Sequence, residues 1–384
     1  MDINRLLHKI AAKLDRKRDS LFSYSVDKQK KYIEKLGEPK DEIERAYFQY
    51  KCQMKFNGPI LTFFLNIASC PLALAYLLKY RKKSGDEFKK VDACFFRDGK
   101  PENILPNSLR ERYADIESDP MESCYLSSED RAFIRKLMKR YPFSWQFIFK
   151  CIIKVGRYSF VIEKYDPQAI VVCAEYSFTS SVLTAYCRKR GVKHIDVMHG
   201  EKLYYMRDAF FEFDECYVWD RYYADMLSSM KASDKQFKIE VPPSLRFEDS
   251  LGRTSEYDYT YYLADESEET LVKISDALKC LADNGKKISI RPHPRYTDAQ
   301  LVAKIFDYAN IEDCKEITIE RSLMRTNAAV SLFSTVLNQA SCNGIDIVVD
   351  DISNTRRFEK LKELQYVCLN KEHVLLSRIE GIEK

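Results

Sequence analysis

A chain of 384 residues is longer than one ordinary hydrophobic core organises, and it predicts two domains. Hydrophobic residues at 45% and charged residues at 31% are the proportions of a globular protein and exclude a disordered one. The 62 Lys and Arg against 58 Asp and Glu leave a net charge of only +4, which argues against a dedicated nucleic-acid binder with a concentrated basic face.

Twelve cysteines are scattered singly, for example Cys52, Cys70, Cys151, Cys173 and Cys280, with no CxxC pair. A disulfide framework is not expected at this length, and a zinc site lacks its ligand spacing. The pattern predicts reduced thiols in a cytosolic protein.

The amino terminus, MDINRLLHKIAAKLDRKRDS, lacks the apolar core of a signal peptide. Ile3, Leu6, Leu7, Ile10 and Leu14 form an apolar stripe, with Arg5, Lys9, Lys13 and Arg16 off it. This predicts an amphipathic basic helix packed on its own domain, with contact to an acidic membrane surface as the second reading. The most apolar run is Pro59–Leu78, followed by Lys79-Tyr80-Arg81-Lys82-Lys83. A transmembrane helix needs about 20 apolar residues, and Asn66, Ser69 and Pro71 interrupt this one. A buried pair of helices is expected there, ahead of a membrane-docking surface. The first 160 residues read as mostly helical, with a strand at Val91–Phe96.

Strands and helices then alternate. Asp166-Pro167 leads into a strand at Ala169–Cys173. Ser177 is placed to cap a helix running to Arg190, which Gly191 closes. His194–Met198 and Cys216–Trp219 read as strands, and Arg221–Met230 as a helix. Pro242-Pro243-Ser244 reads as a linker. Beyond it, Tyr257–Ala264 reads as a strand, and a helix follows to Ala282, ending at Asn284-Gly285. Lys287–Arg291 is the next strand and Thr297–Tyr308 the next helix. Glu316–Ile319 and Ala328–Leu332 are read as strands, then a helix over Thr335–Cys342, and a strand at Ile345–Val349. Alternation of this kind predicts βαβ units on parallel sheets. The fold class is therefore α/β, with two doubly wound halves: an amino-terminal domain over 1–245 and a carboxyl-terminal domain over 246–384.

Four strand ends carry chemistry. In KISIRPHPR (Lys287–Arg295) each Pro lacks an N–H and biases the residue before it away from helix. The chain must hold His293 in a stiff loop at the strand's carboxyl end, the edge where open α/β sheets bind ligands. An imidazole between Arg291 and Arg295 suits an anion, most simply a phosphate. At Ser331–Thr335 a strand passes into a helix, and Ser334 and Thr335 with free N–H groups make a phosphate seat or an ordinary N-cap. Glu175 follows the strand IVVC, where it would serve as a general base, pair with an Arg or cap the following helix. His199 follows another strand, beside Gly200, which admits close backbone approach. Ser177, His199 and Gly200 are thus acceptor-side candidates. No Ser-His-Asp order, P-loop, GxGxxG or HExxH occurs, which weakens hydrolase, kinase, dehydrogenase and metalloprotease readings.

Two doubly wound halves, an HP motif ending a strand of the second, and a later Ser-Thr pair opening a helix resemble the GT-B glycosyltransferases of bacterial surface polysaccharide synthesis. The resemblance spans roughly 166–350. It is nearest to sialyltransferases and polysialyltransferases, with Kdo transferases and teichoic-acid-type polyglycerol-phosphate polymerases sharing a similar HP loop. It implies a GT-B-like pair of Rossmann-like domains facing a cleft, with a helical amino-terminal extension. It also implies an inverting enzyme that uses neither metal nor cofactor. The donor would be a nucleotide sugar, a CMP-sugar of sialic acid or Kdo type first. The acceptor would be a capsule or lipopolysaccharide glycan, free or lipid-linked, and no nucleic acid is involved. His293 would contact the donor phosphate and assist the nucleotide's departure, Arg291, Arg295, Ser334 and Thr335 would hold that phosphate, and Glu175 would activate the acceptor hydroxyl. One element departs from the family: Glu175-Tyr176-Ser177 stands where it carries an acidic pair followed by Gly. A CDP-glycerol-type polyol-phosphate transferase and a non-catalytic subunit of a polysaccharide assembly complex are the alternatives. The expected location is the cytoplasm, at the inner face of the plasma membrane.

Overall fold

The computed structural model describes residues 24–80, 87–96, 104–247 and 252–382. The predicted amphipathic helix over residues 3–16 lies outside them. The chain forms two compact units. The first holds Met1–His199 and Tyr204–Glu240, the second Gly200–Leu203 and Val241–Lys384. The polypeptide thus passes between units at the His199-Gly200 step as well as at Val241, a crossing that hydropathy does not reveal.

In the first unit six parallel strands, β1 (Ala93–Phe95), β2 (Ile116–Ser118), β3 (Ala169–Val172), β4 (Lys193–Val197), β5 (Glu215–Val218) and β6 (Phe237–Ile239), lie in the order β2-β1-β3-β4-β5-β6. Apolar runs such as Ala169-Ile170-Val171-Val172 are buried at every residue because helices cover both faces of a parallel sheet. Ala93, Phe95, Val171, Ile195 and Val197 build one face of the core with Leu105 and Leu109.

In the second unit β7 (Tyr257–Tyr262), β8 (Ile288–Arg291), β9 (Asn310–Ile311), β10 (Thr326–Ser331), β11 (Asp346–Val349) and β12 (Val374–Leu375) are also all parallel, in the order β12-β11-β10-β7-β8-β9. Chain order reverses between β7 and β10, the topological switch point of a Rossmann sheet. Two doubly wound sheets in succession, with helical segments before and between the early strands, make a GT-B-like α/β fold.

The predicted strand at Glu316–Ile319 is wrong. Thr318 caps a helix there, Ile319–Met324, its hydroxyl accepting from Arg321 N at 3.3 Å, and the edge strand is Asn310–Ile311 instead. Ser177 does not cap the following helix: that helix is Ser180–Lys189, and the Ser177 hydroxyl meets Thr179 Oγ1 at 2.9 Å.

The largest departure is at Pro59–Leu78. The helix assigned to Glu42–Lys79 breaks once, at Gly58 (φ +74°), a conformation glycine adopts without steric cost, with Pro59 next to resist helix continuation from before it. From there it runs unbroken through Asn66 and Pro71, and it is not buried: only 11% of its most apolar eighteen-residue window lies inside the protein.

One buried polar group has a measurable consequence for stability. His194, on β4, is fully buried, with Nε2 at 2.8 Å from Tyr158 Oη and Nδ1 at 2.8 Å from Thr184 Oγ1. Burial, reinforced by Lys154 and Arg188, pulls its pKa from 6.5 down to about 3. The folded value is depressed, so the stabilisation is complete above the unfolded value and is lost as pH falls through the window from 6.5 towards 3. Each pH unit in that window costs about 1.4 kcal/mol, so the wild type is expected to lose about 2 kcal/mol between pH 6.5 and pH 5 from this residue. Urea unfolding of wild type and His194→Gln at both pH values checks this. Parallel losses in the two proteins would remove His194 as the cause.

Candidate functional site

Three neighbouring strands of the second unit, β10, β7 and β8, deliver their carboxyl ends to one edge, and two of the four sequence-predicted strand ends, those after β8 and β10, arrive there together. Ser331 Oγ donates to Tyr262 O at 2.9 Å, joining the ends of β10 and β7. After β8 the chain turns at Pro292–Thr297. Thr297 N donates to His293 O at 3.2 Å, His293 N donates to Thr297 Oγ1 at 2.9 Å, and Thr297 Oγ1 donates to Ala264 O at 3.0 Å. The HP loop is therefore a closed turn anchored to the end of β7. Pro292 and Pro294 remove competing donors and fix φ, so the turn holds its shape without a ladder.

The imidazole is held in one tautomer. Arg295 N donates to His293 Nδ1 at 3.1 Å, which leaves the ring proton on Nε2 in the neutral form. Tyr296 stacks on the ring with centroids 4.5 Å apart and planes 25° from parallel. Partial burial and then the nearby Arg295 charge lower the imidazole pKa, against a smaller opposing effect of Asp265. His293 is thus a neutral ring with Nε2–H as its available donor.

Arg295 is exposed, beside His293. Arg291 is not available in that way. Its guanidinium is buried, pairs with Glu312 at 2.9 Å and donates to Ile317 O at 2.8 Å. Its charge is neutralised inside the protein, so the expectation that it binds donor phosphate is corrected: it braces the strand that ends on Pro292-His293.

At the end of β10 the sequence Ser331–Thr335 opens the helix Thr335–Cys342. Ser334 Oγ accepts from Val336 N at 3.2 Å, and Tyr366 Oη donates to Ser334 O at 3.2 Å. Capping consumes a lone pair of Ser334 Oγ and leaves its O–H free to donate elsewhere. Thr335 is exposed on the first turn. One turn further, Asn338 Nδ2 donates to Glu201 Oε2 at 2.8 Å and Lys371 Nζ donates to Asn338 Oδ1 at 2.6 Å. This polar group behind Ser334 escaped sequence reasoning, because Glu201, Asn338 and Lys371 come from three distant segments.

Glu266 was also missed. It follows β7 by four residues, its Oε2 accepts from Ala264 N at 2.6 Å, and desolvation raises its pKa despite that hydrogen bond. The available signal was an acidic residue just past a strand end.

The acceptor-side candidates lie in the first unit, except for Gly200. Glu175 follows β3 by three residues, but its side chain is 1% exposed, so it does not face solvent as a base open to an acceptor hydroxyl would. Two glutamines of the Glu42–Lys79 helix hold this segment from below: Gln49 Nε2 donates to Glu175 O at 2.9 Å and Gln53 Nε2 to Tyr176 O at 2.7 Å. Arg207, paired with Asp208 at 2.8 Å, lies over the Tyr176 ring at 5.5 Å and is electrostatically coupled to Glu175. His199 is exposed after β4 and faces the Tyr176 ring at 6.5 Å, and Ser177 is half-buried in the same turn as Tyr176.

No protein-family model matches the sequence, and no curated protein sequence matches it. Among solved structures the chain is similar to the UDP-GlcNAc 2-epimerase of Neisseria meningitidis bound to UDP-GlcNAc, with 10% identity over 70% of this chain and 85% of that one, at a TM-score of 0.42. It is similar to the Methanocaldococcus jannaschii UDP-GlcNAc 2-epimerase in complex with UDP-GlcNAc and UDP, with 10% identity, 77% and 96% coverage and a TM-score of 0.39. It is also similar to the wall teichoic acid polymerase TagF, with 12% identity, 78% of each chain and a TM-score of 0.35.

Proposed function

We propose that this chain is a transferase that binds a nucleotide-activated donor at the carboxyl edge of its second sheet and passes the activated group to a glycan acceptor. The observation that carries the reading is the convergence of the HP loop, the β7 end and the Ser334 helix start at a topological switch point. Ligands of doubly wound sheets bind there because loops diverge and helix N-termini converge on the crevice. His293 Nε2–H, the Ser334 hydroxyl and the exposed Arg295 are donors of the type that holds a phosphate and offsets charge growing on it as the nucleotide leaves. The first unit is proposed as the acceptor side, through the exposed Tyr176 ring and His199. The reaction proposed is inverting sugar transfer from a CMP-sugar without a metal ion, onto a surface polysaccharide.

Thermal unfolding with CMP, CDP, UDP and GDP, on wild type and His293→Ala, tests this. A ligand that binds only the folded state adds about 2.7 kcal/mol at one hundred times its Kd. Selective stabilisation by CMP that disappears in His293→Ala is the expected result. Stabilisation by CDP instead replaces the sugar donor with a CDP-polyol and makes the product a phosphodiester. Absence of stabilisation by all four overturns the nucleotide-donor reading.

A further inference from the structure

The helix that follows Gly58 is built inside out for water. Thr62 and Asn66 are satisfied by backbone groups, and Ser69 is buried. Thr62 Oγ1 donates to Gly58 O at 2.7 Å, and Asn66 Nδ2 donates to Thr62 O at 2.8 Å while Asn66 Oδ1 accepts from Gln146 N at 3.1 Å. Ser69 and Ala73 continue that stripe and are buried. The apolar side chains point the other way: Ile60 is 73% exposed, Phe63 and Phe64 are each 61%, and Ile67, Leu74 and Leu78 are exposed as well. A helix on an aqueous surface shows the opposite arrangement, and large contiguous apolar patches mark contact with something less polar than water.

Charge identifies the occupant. Between Glu44 and Asp86 the sequence has no acidic residue, while Lys51, Lys55, Lys79, Arg81, Lys82 and Lys83 all fall there. Of the two cations that flank the apolar stretch most closely, Lys55 and Lys79, both are exposed. An apolar helix face with a cationic border fits the headgroup region of an anionic bilayer. A second copy of this chain fits poorly, because a two-fold pairing of this face would set one helix's cations against the other's. The helix is also held to the protein along its inner stripe and at its end, where Arg131 Nη1 donates to Leu77 O at 2.6 Å. These attachments along one side fit a helix lying on one leaflet better than one that crosses.

We infer that the exposed face of residues 59–79 docks the protein on an anionic lipid bilayer as a monotopic contact. This does not depend on the transferase reading, and its test uses no nucleotide. The full chain is sedimented with phosphatidylcholine vesicles and with vesicles containing 20% phosphatidylglycerol. Wild type is expected to bind the anionic vesicles at least tenfold more strongly. Phe63→Asp with Phe64→Asp is expected to lower that binding at least tenfold with circular dichroism and Tm unchanged, since both rings project into solvent. Lys55→Glu with Lys79→Glu is expected to remove the preference for anionic vesicles. Wild type left in the supernatant with both vesicle types overturns the inference. So does a concentration-dependent dimer, seen by sedimentation velocity, that Phe63→Asp with Phe64→Asp dissociates.

Discussion

His293→Ala is expected to lower kcat by a factor of roughly 10² to 10³ with the fold intact. Removing one preorganised donor to charge that develops in a transition state costs about that much, because the charge then lacks compensation in a site that excludes water. The assignment is specific to Nε2–H, since Nδ1 is taken by Arg295 N. His293→Gln retains an N–H of similar reach and is expected to recover part of the loss, whereas Ala removes it. Nucleotide release from the activated donor is the measurement, with far-UV circular dichroism as the control on folding. The side chain is only partly buried, and the turn around it closes through Thr297 and the backbone, so Ala is not expected to unfold it. Unchanged turnover in His293→Ala would show that the HP loop has no part in catalysis.

Glu312→Ala is expected to destabilise the second unit by about 3–5 kcal/mol. Arg291 and Glu312 are both buried, and removing one partner leaves the other charge without compensation in a poorly solvated interior. Ile317 O still accepts from the guanidinium, which moderates but does not replace the lost charge. Replacing both partners, Arg291→Met with Glu312→Leu, is expected to restore most of the stability, because no ion then needs solvation. Chemical unfolding of the three proteins gives the values. A Glu312→Ala protein as stable as wild type would mean that water reaches Arg291. Because Arg291 immediately precedes Pro292 and His293, Glu312→Ala is also expected to weaken nucleotide stabilisation by loosening the HP turn.

The alternation of strands and helices was legible because parallel strands, covered on both faces, are rich in apolar and β-branched residues. Ala169–Val172 is a short apolar run, and in Ile288–Arg291 two isoleucines alternate with polar residues before the chain stops at Pro292. The edge strand Asn310–Ile311 failed that test. It is too short and too exposed to announce itself, and Glu316–Ile319, with two isoleucines, drew the assignment. Composition likewise marked Pro59–Leu78 as unusual without saying which way its side chains turn. Asn66 reads as an interruption only until Gln146 supplies its partner, and Ser69 only until it is seen to be buried.

The candidate site divides the same way. The sequence by itself determined that His293 sits in a stiff turn after a strand, since Pro chemistry acts between adjacent residues, and that Ser334 and Thr335 open a helix, since capping acts within one turn. Only the tertiary structure decided which charged groups remain for a ligand. Arg291 meets Glu312 twenty-one residues later and is spent, while Arg295, four residues along, is exposed. Glu175 is buried, its carbonyl held by Gln49 of the Glu42–Lys79 helix, and Glu201 joins Asn338 and Lys371 across the chain. Local rules fix backbone direction within a few residues. Burial and ion pairing depend on which distant segments pack together, and that is set by the whole sheet.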